Sequence, residues 1–404
     1  MMISTISNNL RFLPALMLFF FAMLPAEAQD NDSKRAEVDF DEGIAISKDS
    51  SFLMNLKFRM QSRAGFSTIS GDNLGVDEFE MMVRRLRLRL GGHILSPKLE
   101  YDVQLSFSKS DLDLDEQDKA QIIRDAILYY HFNDKFYMGF GQTKLPGNRQ
   151  RVNSSGELQF YERSVVNSTF TLDRDFGFFG YYTHQIANSL LLLKGAVTTG
   201  DGRNALPSNN GLAYTGRVEF LPFGSFTNEG DYSEGDLEFE ENPKLALGAA
   251  FSKNFNATKS GGQYGEDLYG TRDLSSIIVD AIFKYRGWAA SSEFIKRDAD
   301  DPITRNLQGD IRHIFTGHGL NTQLSKMLSQ KTELAFRYAF VDPEEEIASV
   351  QERSDEALVG LTRYINGHKI KVQGNLGYNW VDGEAHTSHR ANHWIAMFQV
   401  EFGI

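Results

Sequence analysis

Apolar and polar residues alternate along most of this chain with a period of two. Phe52, Met54, Leu56, Phe58 and Met60 fall on one side of such a run, and Asn55, Lys57, Arg59, Gln61 and Arg63 fall on the other. Successive side chains of a strand point to opposite faces, so the run predicts a strand that is apolar on one face and hydrophilic on the other. Leu99, Tyr101, Val103, Leu105 and Phe107 oppose Lys98, Glu100, Asp102, Gln104 and Ser106 in the same way, and Phe398, Val400, Phe402 and Ile404 oppose Gln399, Glu401 and Gly403.

About sixteen segments of this kind are predicted, separated by turn or charge clusters. They cover 51–66, 79–92, 97–109, 121–133, 135–145, 173–185, 188–199 and 211–221 in the first half. The second half holds 244–254, 274–286, 287–298, 311–325, 331–342, 354–366, 368–381 and 391–404. The connections alternate in length. Tight ones fall at Ser96-Pro97, Asn133-Asp134, 186–188, Arg286-Gly287, 328–331 and Asn366-Gly367. Longer ones fall at 67–78, 110–120, 146–172, 200–210, 255–273, 299–310, 343–353 and 382–390. Short turns at one end and long loops at the other mark an outer-membrane barrel, with turns periplasmic and loops outside. Residues 222–243 break the rule, because parity places this long connection among the turns. Phe132 and Phe136, and likewise Tyr285 and Trp288, flank predicted turns where interfacial aromatic girdles lie. The fold class expected is all-β, a transmembrane antiparallel β-barrel.

The first residues agree with export. Arg11 precedes an apolar run from Phe12 to Leu24, and Ala26-Glu27-Ala28 then forms a small-x-small cleavage site. Residues 1–28 are therefore read as a signal peptide, 29–50 as a flexible periplasmic leader rich in Asp, Glu and Ser, and 51–404 as the barrel. No later stretch reaches 18 consecutive apolar residues, which excludes helical spans.

Composition narrows the chemistry. The 404 residues include no cysteine, so disulfides, thiolate metal sites and cysteine nucleophiles are excluded. The formal net charge of -12 argues against a nucleic-acid partner. The acidic surplus gathers in expected loops at 111–116, 234–241, 298–301 and 344–346, and reads as solvated surface, since no spacing matches a calcium loop. No cofactor is implied.

Against this acidic background one strand is cationic. Residues 83–90 alternate strictly, with Leu86, Leu88 and Leu90 on one face and Arg85, Arg87 and Arg89 on the other. If leucines meet lipid, the arginines point into the lumen. Pairing this strand with the next through Ser96-Pro97 sets Arg89 opposite Asp102, Arg87 opposite Gln104 and Arg85 opposite Ser106. Arg89 is then neutralised, leaving Arg85 and Arg87 either to bind anions or to pair with carboxylates across the lumen or on an inward loop. Lys57, Arg59 and Arg63 line the same path. The loop 146–172, between the fifth and sixth strands, is expected to fold inward, and it carries Arg149, Arg151 and Arg163 beside Glu157 and Glu162. An arginine ring at a constriction attracts anions and replaces part of their hydration shell.

These stretches resemble a known family. Arg84-Arg-Leu-Arg-Leu-Arg-Leu-Gly-Gly-His-Ile-Leu-Ser-Pro-Lys-Leu-Glu-Tyr101, Asp125-Ala-Ile-Leu-Tyr129, Gly141-Gln-Thr-Lys-Leu-Pro146, Glu162-Arg-Ser164 and Asp173-Arg-Asp-Phe-Gly177 are similar to the phosphate-selective porin O and P family. Leu221-Pro-Phe-Gly224 and Ala281-Ile-Phe-Lys-Tyr-Arg-Gly287 extend the resemblance along the chain. It implies a sixteen-stranded, homotrimeric outer-membrane channel, set in lipid and lipopolysaccharide, that takes up phosphate or related small anions. The family's anion-selective channels carry a lysine-rich extracellular loop, whereas the loops here are acidic. Anion uptake is thus a firmer expectation than phosphate selectivity.

Three other readings compete: a weakly selective general porin, a barrel enzyme and an adhesive surface barrel. His313, His318, His386, His389 and His393 fall in no nucleophile-elbow or zinc-protease pattern, so no enzyme is expected.

Overall fold

The computed structural model describes residues 43–48, 50–109, 121–205, 211–382 and 392–404. The signal peptide, most of the leader, the acidic run 111–116, His386 and His389 lie outside the described residues.

The chain opens with β1 (Ile44–Lys48), β2 (Phe52–Thr68), β3 (Val76–Ile94), β4 (Ser96–Ser106), β5 (Ile123–Asn133) and β6 (Phe136–Lys144). Two short helices follow, α1 (Arg149–Val152) and α2 (Val165–Phe170). Next come β7 (Arg174–Ile186), β8 (Ser189–Thr198), β9 (Ala213–Leu221), β10 (Lys244–Lys259), β11 (Asp267–Tyr285) and β12 (Trp288–Ala299). A small hairpin, β13 (Ile303–Arg305) and β14 (Ile311–His313), precedes β15 (Gly317–Ser329), β16 (Thr332–Pro343), β17 (Arg353–Asn366), β18 (Ile370–Asp382) and β19 (His393–Gly403).

β2 to β12 and β15 to β19 pair antiparallel in chain order, and β19 returns to β2 from Ile395↔Ser67 to Gly403↔Arg59. Sixteen strands therefore close into a barrel. Closure removes the sheet edges that hydrocarbon would leave without hydrogen bonds. β1 pairs Ile44–Lys48 with Phe52–Leu56, on the stretch of β2 that lies beyond the reach of β19. Residues 44–48, assigned above to the flexible leader, are thus a strand.

The faces are inverted relative to a water-soluble sheet. On β9, Thr215, Arg217 and Glu219 are 5%, 3% and 1% exposed, whereas Tyr214, Val218 and Phe220 are 47%, 46% and 38% exposed. Polar side chains fill the interior and apolar ones coat the exterior, the arrangement lipid requires. Phe132 and Phe136 stack outside their turn with ring centres 5.3 Å apart, and Trp288 carries the Lys326 ammonium 5.0 Å over its ring.

Two details depart from the pattern-based reading. The expected strand at 311–325 begins at Gly317, and 311–313 pair instead with 303–305 in the small hairpin. β10 and β11 extend to Lys259 and from Asp267, so the expected loop 255–273 is mostly strand.

Candidate functional site: the arginine wall and the inward loop

β2 and β3 build the wall. Their register sets Lys57 opposite Arg89, Arg59 opposite Arg87 and Gln61 opposite Arg85. Like charges directly opposite destabilise a sheet, so stability alone does not account for these residues. Between Gln61↔Arg85 and Ser62↔Val83 the register slips by one, leaving Arg84 as the extra residue. A bulge re-aims a side chain. Strict alternation would put Arg84 among the leucines, yet its guanidinium turns inward and bonds Glu162 at 2.8 Å.

The register between β3 and β4 differs from expectation by two residues. Arg87 pairs with Ser106, Arg89 with Gln104 and Gly91 with Asp102, because a second irregularity follows His93 at the turn. A shift of two preserves the faces. Arg89 still reaches Asp102 diagonally through two bonds of 2.6 and 3.0 Å.

The segment from Leu145 to Asp173 packs against the interior face of the barrel. Leu145, Leu158, Phe160, Val166 and Phe170 are at most 1% exposed, and all but Leu158 cluster with inward-facing apolar residues, among them Ile127, Phe179, Ile278, Ile295, Val341 and Leu358. Its backbone carbonyls find donors around the wall. Lys371 donates to Gly156 O (2.6 Å) and Leu158 O (2.7 Å), Gln373 to Gln159 O (2.7 Å) and Arg337 to Glu162 O (2.8 Å). Ser164 caps α2, its hydroxyl accepting from the Asn167 N–H.

The segment presents Ser154, Ser155 and Glu162 to the arginines. Arg59 donates to the Ser154 and Ser155 hydroxyls at 2.8 Å each, and Arg87 to Ser155 at 2.9 Å. At Gly156 a Cβ would lie 2.2 Å from the Arg59 guanidinium, so any larger residue would make that side chain shift. Glu162 receives Arg85 at 2.5 Å, Arg84 at 2.8 Å and Arg63 at 3.2 Å. Burial would raise the Glu162 carboxyl pKa, but Arg85, Arg84 and Arg63 together hold it well below the usual range. For Arg85, the alternative of a loop carboxylate is the one realised.

The other sequence candidates disperse. Arg149 is 4% exposed, bonds Asp280 at 2.6 Å and the Asp231 carbonyl at 2.9 Å, and ties the loop to β11. Arg151 pairs with Asp173. Arg163 donates to the Gln150 and Asn153 carbonyls at 2.7 and 2.8 Å. Lys57 sits with Arg89, His93, Glu100, Asp102 and Tyr129 around a cavity of about 380 Å³ nearer the turn end. His313 contacts Gln351, His318 lies between Phe294 and Phe340, and His393 lies beside Asn379. Pattern reading missed Arg84, Ser154, Ser155 and the part played by Glu401, whose carboxylate lies 3.7 Å from the Arg59 guanidinium. A charge on an otherwise apolar face was the one available signal for Arg84.

Residues 54–229 match the family described as phosphate-selective porin O and P. No curated protein matches the chain. Among solved structures, the outer membrane channel DcaP of Acinetobacter baumannii is 12% identical, with 88% of this chain and 99% of that one aligned at a TM-score of 0.52. Salmonella typhi OmpF in complex with daunomycin is 11% identical over 89% and 100% of the two chains, with a TM-score of 0.53. OmpT of Vibrio cholerae in a trimer form is 9% identical over 87% and 99%, with a TM-score of 0.52. At these identities the likeness is one of fold.

Proposed function

We propose that this outer-membrane porin, kin over its first eight barrel strands to the phosphate-selective O and P family, passes small anions along the β2 and β3 arginine wall. The observation that carries the reading is the convergence of Arg59, Arg63, Arg84, Arg85 and Arg87 on one short stretch of inward loop, Ser154 to Glu162. Guanidinium groups stay charged at any growth pH and offer several donors in fixed planes. An oxyanion passing them exchanges water for N–H donors, while a cation meets a repulsive field. Serine hydroxyls on the facing loop supply further donors without adding charge.

Glu162 and Glu401 temper that field, and Asp102 tempers Arg89. Graded anion preference therefore fits the site better than absolute selectivity, and phosphate is one member of the solute class. By analogy with the trimeric form of its structural neighbour, the barrel is proposed to assemble as a homotrimer, with its turns facing the periplasm.

Single-channel recording in a planar bilayer, with reversal potential measured across a salt gradient, tests the reading. Conductance with a reversal potential of anionic sign is expected, and phosphate against chloride and a dicarboxylate then ranks the solutes. Absence of conductance would sink the porin, and a cationic sign would sink the arginine path. A reversal potential near zero would favour a general, weakly selective pore.

A further inference from the structure

Residues 222–243 connect β9 to β10 at the end of the barrel where the other connections are tight turns. This segment is built. Asp236 accepts from the Gly287 N–H at 2.6 Å and the Glu240 N–H at 3.1 Å, and Glu240 accepts from the Thr227 N–H at 2.6 Å. The Arg286 N–H donates to the Glu240 carbonyl at 2.9 Å. Phe226 packs with Leu221, Ala246 and Ile282, all on the inner face. Tyr232 donates to Glu219 of the inner wall at 2.5 Å. The segment therefore rises into the lumen from the turn end.

There it meets the loop that faces the arginines. Glu234 is 5% exposed, and its carboxylate accepts the Gln159 N–H at 2.9 Å and the Gln150 side-chain amide at 3.2 Å. Its own N–H donates to the Glu157 carbonyl at 2.9 Å. Arg149 adds a bond to the Asp231 carbonyl at 2.9 Å and lies 5.7 Å over the Tyr232 ring. Glu157 and Gln159 belong to the stretch between Ser155, which touches Arg59 and Arg87, and Glu162, which touches Arg63, Arg84 and Arg85.

We infer that segment 222–243 is a second inward element, a floor on which the inward loop rests, and that Glu234 is the positioning residue that holds Ser154 to Glu162 against the arginine wall. The inference rests on the ion path proposed above, but its test reads a different quantity. A carboxylate accepts from two loop donors at once. Alanine leaves both donors without it and lets Ser154 to Glu162 withdraw from the wall, whereas glutamine keeps one acceptor oxygen.

The experiment compares full-length wild type, Glu234→Ala and Glu234→Gln in planar bilayers. It measures single-channel conductance, the largest polyethylene glycol that enters the pore, and reversal potential, with heat-modifiable migration as the check that each barrel has closed. The expected result is a conductance about twofold higher for Glu234→Ala, a larger polymer cut-off and a reversal potential nearer zero, with Glu234→Gln intermediate. Gln150→Ala should move the same quantities in the same direction, and combining it with Glu234→Ala should add less than the sum. Wild-type conductance and cut-off in folded Glu234→Ala, or lower conductance, would overturn the inference. A widened Glu234→Ala pore in a wild-type channel without anion preference would overturn only the ion path, leaving the floor in place.

Discussion

Replacing Glu162 with glutamine should make the pore more anion-selective without dislodging the loop. The substitution nearly conserves shape and removes the carboxylate that Arg85, Arg84 and Arg63 approach at 2.5, 2.8 and 3.2 Å. Hydrogen bonds to a charged group contribute about 1.5–3 kcal/mol each, and glutamine gives up one acceptor oxygen while keeping the other for the charged guanidiniums, so only part of this set is lost. Against that, Phe160 and Phe170 are fully buried inside the barrel, and each contributes about 1.5–3 kcal/mol by burial. The apolar anchors, together with the Lys371 and Arg337 bonds to loop carbonyls, therefore keep the segment in place. An ion passing about 5 Å from the vanished charge feels a change of about 0.8 kcal/mol in a water-like dielectric, or about 0.5 kcal/mol after screening at 0.1 M salt. Anions gain that amount and cations lose it, so the permeability ratio should rise about fivefold. Reversal potential in a potassium chloride gradient is the assay, with polymer cut-off reporting any loop movement. An unchanged ratio, or a shift toward cations at unchanged cut-off, would refute the assignment of Glu162 to the ion path.

Acid should act in the same direction. The folded-state pKa of Glu162 is depressed, so its stabilising contribution is present above the ordinary carboxylate value of about 4.3 and is lost as pH falls through the depressed one. Anion preference should then rise at the lower pH in reversal-potential titrations from pH 5 downward, and a fall would contradict the pairing. Arg85→Gln combined with Arg87→Gln should lower anion preference while leaving heat-modifiable migration intact, because lumen positions tune permeation. Leu88→Arg should do the reverse, costing about 2–4 kcal/mol in urea unfolding from vesicles if Leu88 lies at midplane. Equal harmlessness of the last two variants in the unfolding assay would show the faces to be assigned the wrong way round.

Much of this molecule is local in origin, and that part was legible in the chain. Each strand states its own two faces, because every second side chain must suit lipid and the rest must suit the lumen, so alternation, strand number and connection lengths predict a closed barrel. The arginine face of β3 and its neighbours Lys57, Arg59 and Arg63 were readable for the same reason. What those charges do was not. Arg85 finds Glu162 from 77 positions away, Arg149 crosses to Asp280 over 131, and Gln150 meets Glu234 over 84. Such pairs depend on how two long connections fold back inside a finished barrel, and no periodicity records that. The Arg84 bulge and the two-residue shift at the next turn belong to the same class, since both keep each strand's pattern and alter only its partners. Local solvent preference therefore determined the wall, while contacts across the closed lumen decided which loop groups its cations hold.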